Sequence, residues 1–208
     1  MKFFLKSKHW QLFIVVVGIP LITQIIAGAI MISKMVSFAF SGSQPDPYVM
    51  FNLMSTIIPV ITVVCVIVYF LWFYSLGLSL HKKLPSSVNM SLNRFLVFIS
   101  YPLVYLIGFC FFMSRAMKIT DDLPPSVFST AILLIIPLHL FAMFCMFYCL
   151  YFVSKALKSA ELQREALLGD YIVDMLLFWF FIVGIWFLQP RINKLFAEDE
   201  SQLTGEAM

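Results

Sequence analysis

Charge is what this chain has least of: Asp, Glu, Lys and Arg together make up only 12% of 208 residues, against 62% hydrophobic residues and a mean hydropathy of +0.95. A single soluble domain of this size cannot bury so much apolar side chain, so a soluble enzyme and a disordered chain are both excluded. There are four cysteines, all within or at the edge of apolar segments, where they act as small hydrophobes; a disulfide-built secreted domain is excluded too. The apolar runs are continuous, without the polar alternation that the strands of an outer-membrane barrel need. Also missing are a phosphate loop, a dinucleotide fingerprint, a nucleophile elbow and a His-Glu-x-x-His zinc motif. The net charge of +3 gives no reason to expect a nucleic-acid partner.

What the chain has instead is apolar length. A spanning helix needs about 20 largely apolar residues to cross a hydrocarbon core about 30 Å thick, and residues 10–32, 51–80, 95–113 and 127–153 each supply such a run. A fifth run, 171–188, is shorter, carries Asp174 near its start and is crowded with aromatics such as Trp179, Phe180, Phe181 and Trp186. The expected fold is an all-α integral membrane protein, a bundle of four transmembrane helices plus a fifth short spanning or re-entrant helix. These form one polytopic domain, 1–190, followed by a polar acidic tail, 191–208. The first run is not expected to be a cleavable signal, because no small-x-small site leads into a soluble domain.

Orientation follows from where the cations sit. Lys2, Lys6 and Lys8 precede the first run, His81, Lys82, Lys83 and Arg94 occupy the second loop, and Lys155, Lys158 and Arg164 precede the fifth run. The positive-inside rule places these clusters, and the N-terminus with them, in the cytoplasm. The loops holding Lys34 with Asp46, and Arg115 and Lys118 with Asp121 and Asp122, then face outward. For the C-terminus the indications divide: Arg191 and Lys194 favour the inside, while an odd number of full spans puts them outside. Gly184 midway along the fifth run, the Gln189-Pro190 break and Asp174 near the start suit a short helix that turns back, which removes the conflict.

Self-comparison aligns residues 13–21 with 95–103, matching Phe13 to Phe95 and Pro20-Leu21 to Pro102-Leu103, and residues 69–78 with 148–157 without a gap. Both pairs keep the same orientation, as in a parallel duplication of a helical hairpin. Pro20, Pro59, Pro102 and Pro137 each fall inside a spanning run, where they free a carbonyl and bend the helix. Between Leu138 and Leu168 there is neither proline nor glycine, which predicts one helix of about 46 Å, about 15 Å longer than the hydrocarbon core. The excess, 154–168, is expected as a cytoplasmic extension stopped at Gly169. Val153, Ala156, Leu157, Ala160 and Leu167 form its apolar stripe, and Lys158, Glu161 and Arg164 pair on its solvent side.

Ionisable groups inside apolar runs are the natural functional candidates, since burying one costs several kcal/mol without a partner. Asp170 and Asp174 lie four apart on one helical face. An interior Asp174 has to pair with a base such as Arg94 or His81, or be protonated; at the headgroup level it only caps the helix. His139, two residues past Pro137, is placed to bond a carbonyl freed by that proline. Asn52, with Thr56, Thr62 and Gln24, adds polarity within spans. Cys145 and Cys149 share a face that His139 does not, so no metal set and no cofactor is expected.

The string from Gly184 to Lys194, Gly-Ile-Trp-Phe-Leu-Gln-Pro-Arg-Ile-Asn-Lys, preceded by Glu161-Leu162-Gln163-Arg164-Glu165, resembles the end of small multi-pass proteins of Bacteroidetes-type bacteria. It covers roughly the last quarter of the chain. No activity is attached to that group, so the resemblance implies a bacterial inner membrane and no reaction. The function expected is that of a non-enzymatic membrane subunit or scaffold, associating with itself or with other membrane proteins. The alternatives are a small transporter or channel built from kinked, duplicated hairpins and lined by Asp174 and Asn52, and a membrane enzyme acting on lipid or thiol substrates through His139 and the cysteines.

Overall fold

The computed structural model describes the backbone of residues 2–41, 47–119 and 125–205, and the side chains of residues 3–40, 60–112 and 133–197. The described residues are helical with short connections and no strand: α1 (Lys2–Lys6), α2 (His9–Phe13), a π turn (Ile14–Gly18), α3 (Ile19–Ser41), α4 (Pro47–His81), α5 (Leu92–Ile119), α6 (Pro125–Leu162), α7 (Leu168–Trp179) and α8 (Phe181–Gly205). Four stretches, His9–Phe40, Val60–His81, Leu92–Phe112 and Leu133–Leu162, are long and apolar enough to cross a membrane. The π turn ends two residues before Pro20. Proline has no N–H to return to the carbonyl one turn back, and the ladder widens locally just before it.

Successive long helices run antiparallel. Between α4 and α5, His81 Nε2 meets the Met90 carbonyl at 2.9 Å and Gly77 lies against Phe95. Between α5 and α6, Phe95 stacks on Phe152 with ring centroids 4.5 Å apart, and Tyr105 meets His139. Gly77 is required here: a Cβ would stand 2.1 Å from the Phe95 ring, which is itself fully buried and held by Phe152. α4 and α6 are therefore parallel, and both stretches matched by self-comparison line the core. Phe73 and Phe152, and Ser75 and Ser154, are buried at equivalent positions.

The fifth apolar run is two helices. α7 stops at Trp179, Phe180 adopts φ −88°, ψ 59°, and α8 starts at Phe181. The Phe180 N–H donates to the Leu176 carbonyl at 2.8 Å, and the Phe180 carbonyl accepts from Val183 at 3.0 Å and Gly184 at 2.8 Å, so one residue closes α7 and opens α8. The chain then folds back on itself. Asp174 and Arg191 touch at 2.6 Å although 17 positions apart, a separation of about 25 Å along a straight helix. Gly184 permits the turn, because a Cβ there would fall 1.7 Å from the Leu177 carbonyl oxygen. At the tip, Trp179 stacks on Phe147 at 4.7 Å, about 22 Å along α6 from its end at Leu162. Trp72 of α4 packs on Phe178 and Phe181, one on each side of the turn.

Among the described residues the core is concentrated where α4 and α6 finish and α5 and α7 begin. Trp72, Phe73, Leu76, Leu80, Phe95, Phe152, Leu157, Phe178, Ile185, Leu188 and Ile192 are essentially inaccessible there. We call this the packed end. α3 instead exposes Leu21, Ile22, Ile25 and Ile26.

Several boundaries differ from those the sequence suggests. α3 continues to Ser41, so Lys34 lies within it. α6 stops at Leu162 rather than continuing through Leu168, and Gly169 lies inside α7. The stop needs no glycine: Gln163 takes the left-handed φ of 51°, its amide donates to the Ala160 carbonyl at 2.6 Å, and the Ser159 hydroxyl accepts the Ala166 N–H at 3.1 Å. Side chains thus satisfy helix-end groups that a continued helix would have paired. Leu167, expected on the buried stripe, is 70% exposed, while Val153, Ala156, Leu157 and Ala160 are buried as that stripe requires. Pro190 interrupts nothing; it lies inside α8, which carries the expected tail on to Gly205 as helix.

Candidate functional site

Every described acidic side chain of the packed end is tied to a base from another turn or another helix. Arg191 of α8 is the hub. Its Nε and Nη2 donate to Glu161 Oε1 and Oε2 at 2.8 and 2.7 Å, and its Nη1 and Nη2 donate to Asp174 Oδ1 and Oδ2 at 2.6 and 2.9 Å. One guanidinium therefore holds two carboxylates in forked geometry and binds α6, α7 and α8 together. Asp174 is 4% exposed. The Asp174 carboxylate first, then Glu161, pushes Arg191 still further above its ordinary range. Lys158 adds a looser contact to Glu161 at 3.6 Å.

Asp170, one turn before Asp174, has separate partners. It accepts the Leu167 N–H at 3.0 Å and pairs with Arg164 at 3.1 Å. The Leu167 N–H, followed by Arg164, holds its carboxyl below the usual carboxylate range. It is the third residue of α7 and its carboxylate satisfies the backbone N–H of the N-cap residue, Leu167. Glu165 pairs with Lys155 at 2.8 Å, closing the connection between α6 and α7. The solvent-side pairing of Glu161 with Arg164 does not form, because each finds a base or acid beyond its own helix.

A second, uncharged node lies beside this lattice. Gln189 is fully buried. Its Oε1 accepts the Trp72 indole N–H at 3.1 Å, and its Nε2 lies within bonding distance of the Phe4 carbonyl at 2.9 Å, the Ser7 carbonyl at 3.1 Å and Asn193 Oδ1 at 2.9 Å. Asn193 Nδ2 donates to the same Ser7 carbonyl. α8 is thereby fastened to the end of α1 and to the middle of the core.

The candidate residues do not converge on one centre. Asp174 and Asp170 occupy the two contacts just described. Asp174 pairs with Arg191, not with Arg94 or His81; His81 instead bonds the Met90 carbonyl. His139 lies on the exposed surface of α6, and its Nδ1 is 3.2 Å from the Tyr105 hydroxyl of α5. It bonds this hydroxyl, not a carbonyl freed by Pro137. Tyr101, stacked beside Tyr105, reaches the Leu138 carbonyl at 3.4 Å. Gln24 and Thr62 are on exposed faces, and the side chain of Asn52 lies outside the described residues. Cys65, Cys110, Cys145 and Cys149 are free thiols, and no group of three or more His, Cys, Asp and Glu that could hold a metal occurs among the described residues.

Arg191 and Gln189 are the residues that sequence patterns did not single out as a site. Their signal was available: Gln189 and Asn193 are four apart, one face of a helix, and Arg191 follows an apolar run whose start holds an acid. Taking Pro190 as a break concealed the face they share. No family model, curated protein or solved structure matches the chain.

Proposed function

We propose that this chain is a non-enzymatic subunit or scaffold of a bacterial inner membrane, which associates with itself or with other membrane proteins. In this arrangement the N-terminus and the packed end face the cytoplasm, and α7 and α8 form a re-entrant hairpin whose tip enters the bilayer from that side. The position of Trp179 against Phe147, six residues or about 9 Å inside the end of the apolar run 127–153, supports that entry. The charged residues described at the packed end support a structural role, since they bind α6, α7 and α8 to one another.

The observation that carries association is the Tyr105–His139 pair. It sits on the exposed surface of α5 and α6, near the middle of the apolar run 127–153. Polar groups within spans face protein or water, because hydrocarbon offers no hydrogen bond. A second protein surface offers the pair further hydrogen-bond partners that hydrocarbon does not. Crosslinking and sizing of the native protein in mild detergent test this: a defined oligomer or complex is expected, weakened by His139→Leu and Tyr105→Phe. A strictly monomeric, partnerless protein would overturn it.

A further inference from the structure

Two sets of cations stand out at the packed end. Lys155, Lys158, Arg164 and Arg191 each have a carboxylate within 4 Å. Lys8, Lys82 and Lys194 are exposed and have no acidic partner among the described residues. These three belong to the α1–α2 connection, the α4–α5 connection and α8, yet bonds beside each draw them to one corner. Gln189 and Asn193 both donate to the carbonyl of Ser7, the neighbour of Lys8. Lys83, the neighbour of Lys82, donates through Nζ to the Leu195 carbonyl at 2.5 Å, and Asn193 and Leu195 flank Lys194.

Next to this corner stand two exposed tryptophans. Trp186 packs on His9 at 4.6 Å and on Phe13 at 5.6 Å, and Trp10 lies in the same short helix as both. Tryptophan is enriched at the headgroup level of a bilayer, and lysines just beyond it attract anionic lipid. We infer that the Lys8, Lys82 and Lys194 corner binds the headgroup of an anionic phospholipid, the ammonium groups meeting the phosphodiester and the indoles lying against the glycerol region. The matched cations of α6, α7 and α8 take no part, because their charge is already satisfied within the protein. This inference goes beyond the association proposed above and rests on the membrane assignment alone.

The test uses the full chain in nanodiscs of phosphatidylcholine with or without phosphatidylglycerol, followed by native mass spectrometry of retained lipid. The native chain is expected to retain phosphatidylglycerol in preference, with the preference falling as salt rises. Lys8→Gln, Lys82→Gln and Lys194→Gln together should weaken that binding by about fivefold per charge, on the order of a hundredfold in all, while insertion into phosphatidylcholine stays intact and so reads the membrane assignment separately. Lys34→Gln, at the far end of α3, should change nothing. Equal retention of the two lipids, full preference in the triple variant, or displacement of the lipid by soluble glycerophosphate would overturn the assignment.

Discussion

At the packed end Trp72, Phe73, Leu76 and Phe152 are 1% exposed or less, while Leu21, Ile22, Ile25 and Ile26 of α3 are 53–62% exposed, although both sets are equally apolar. Hydrophobicity therefore does not decide which side chains meet. In lipid an exposed leucine loses little, and helices associate through close packing and polar bonds instead. The packed end has both. Its aromatic rings interlock around the turn at Phe180, and Arg191 and Gln189 supply polar ties from α8 to α1, α4, α6 and α7. Beside α3 the described polar contact to a neighbouring helix is that of the Cys65 thiol of α4 with the Val15 carbonyl, just before α3 begins.

The largest effect that could break this contrast is loss of the hub. Arg191→Met leaves the buried Asp174 without its base and should destabilise by about 3–5 kcal/mol, read by unfolding in mixed micelles, whereas Ile25→Ala on α3 should stay within about 0.5 kcal/mol. Adding Asp174→Leu to Arg191→Met should recover much of the loss, since both charges then leave together. Comparable losses at Arg191 and Ile25 would erase the distinction between the two regions.

Next in size is the turn. Gly184→Ala forces the hairpin open or distorts it, at a cost of about 1–3 kcal/mol or more, and should weaken the Trp179–Phe147 contact seen by tryptophan fluorescence. Unchanged emission and stability would mean that the limbs do not approach as closely as described. Gln189→Leu should cost a similar or smaller amount, about 1–3 kcal/mol, because the Trp72 indole and the Phe4 and Ser7 carbonyls lose a buried partner. Faster hydrogen exchange confined to α1 and α2 would locate that loss.

How much of this was legible in the sequence depends on range. The four helices long and apolar enough to cross a membrane are visible because each is a local property, some 20 apolar residues in a row. The stripe Val153, Ala156, Leu157 and Ala160 is visible for the same reason. The hairpin is less so: Gly184 and the shortness of the fifth run hint at it, but the turn falls at Phe180, where the residue type carries no turn preference. Its position is set by Gly184 meeting Leu177 and by the rings of Trp72 and Phe147 on either side. Likewise Asp174 can be recognised as needing a base, but the base comes from the returning limb of a turn that must first be located. Gln163 ends α6 with a backbone conformation usually given to glycine, and no pattern of apolar spacing announces that.

The smallest effect sharpens the contrast within the packed end itself. Asp170 is partly exposed and its carboxyl is held below the ordinary carboxylate range by the Leu167 N–H and then Arg164. The stabilisation it gives is complete above the unfolded value, about pH 3.9, and is lost as pH falls through the lower folded value. A titration of stability below about pH 4 should therefore show an acid-side slope that Asp170→Asn flattens, without the large loss expected at Arg191.

The central claim, that α7 and α8 turn back instead of crossing, is tested most directly by the side on which α8 ends. In a background without the four native cysteines, single cysteines at positions 82 and 194 are to be labelled with a membrane-impermeant maleimide in intact cells and in inverted vesicles. Both should react in inverted vesicles and neither in intact cells. Reaction at 82 from the inside and at 194 from the outside would show a full fifth span and contradict the account.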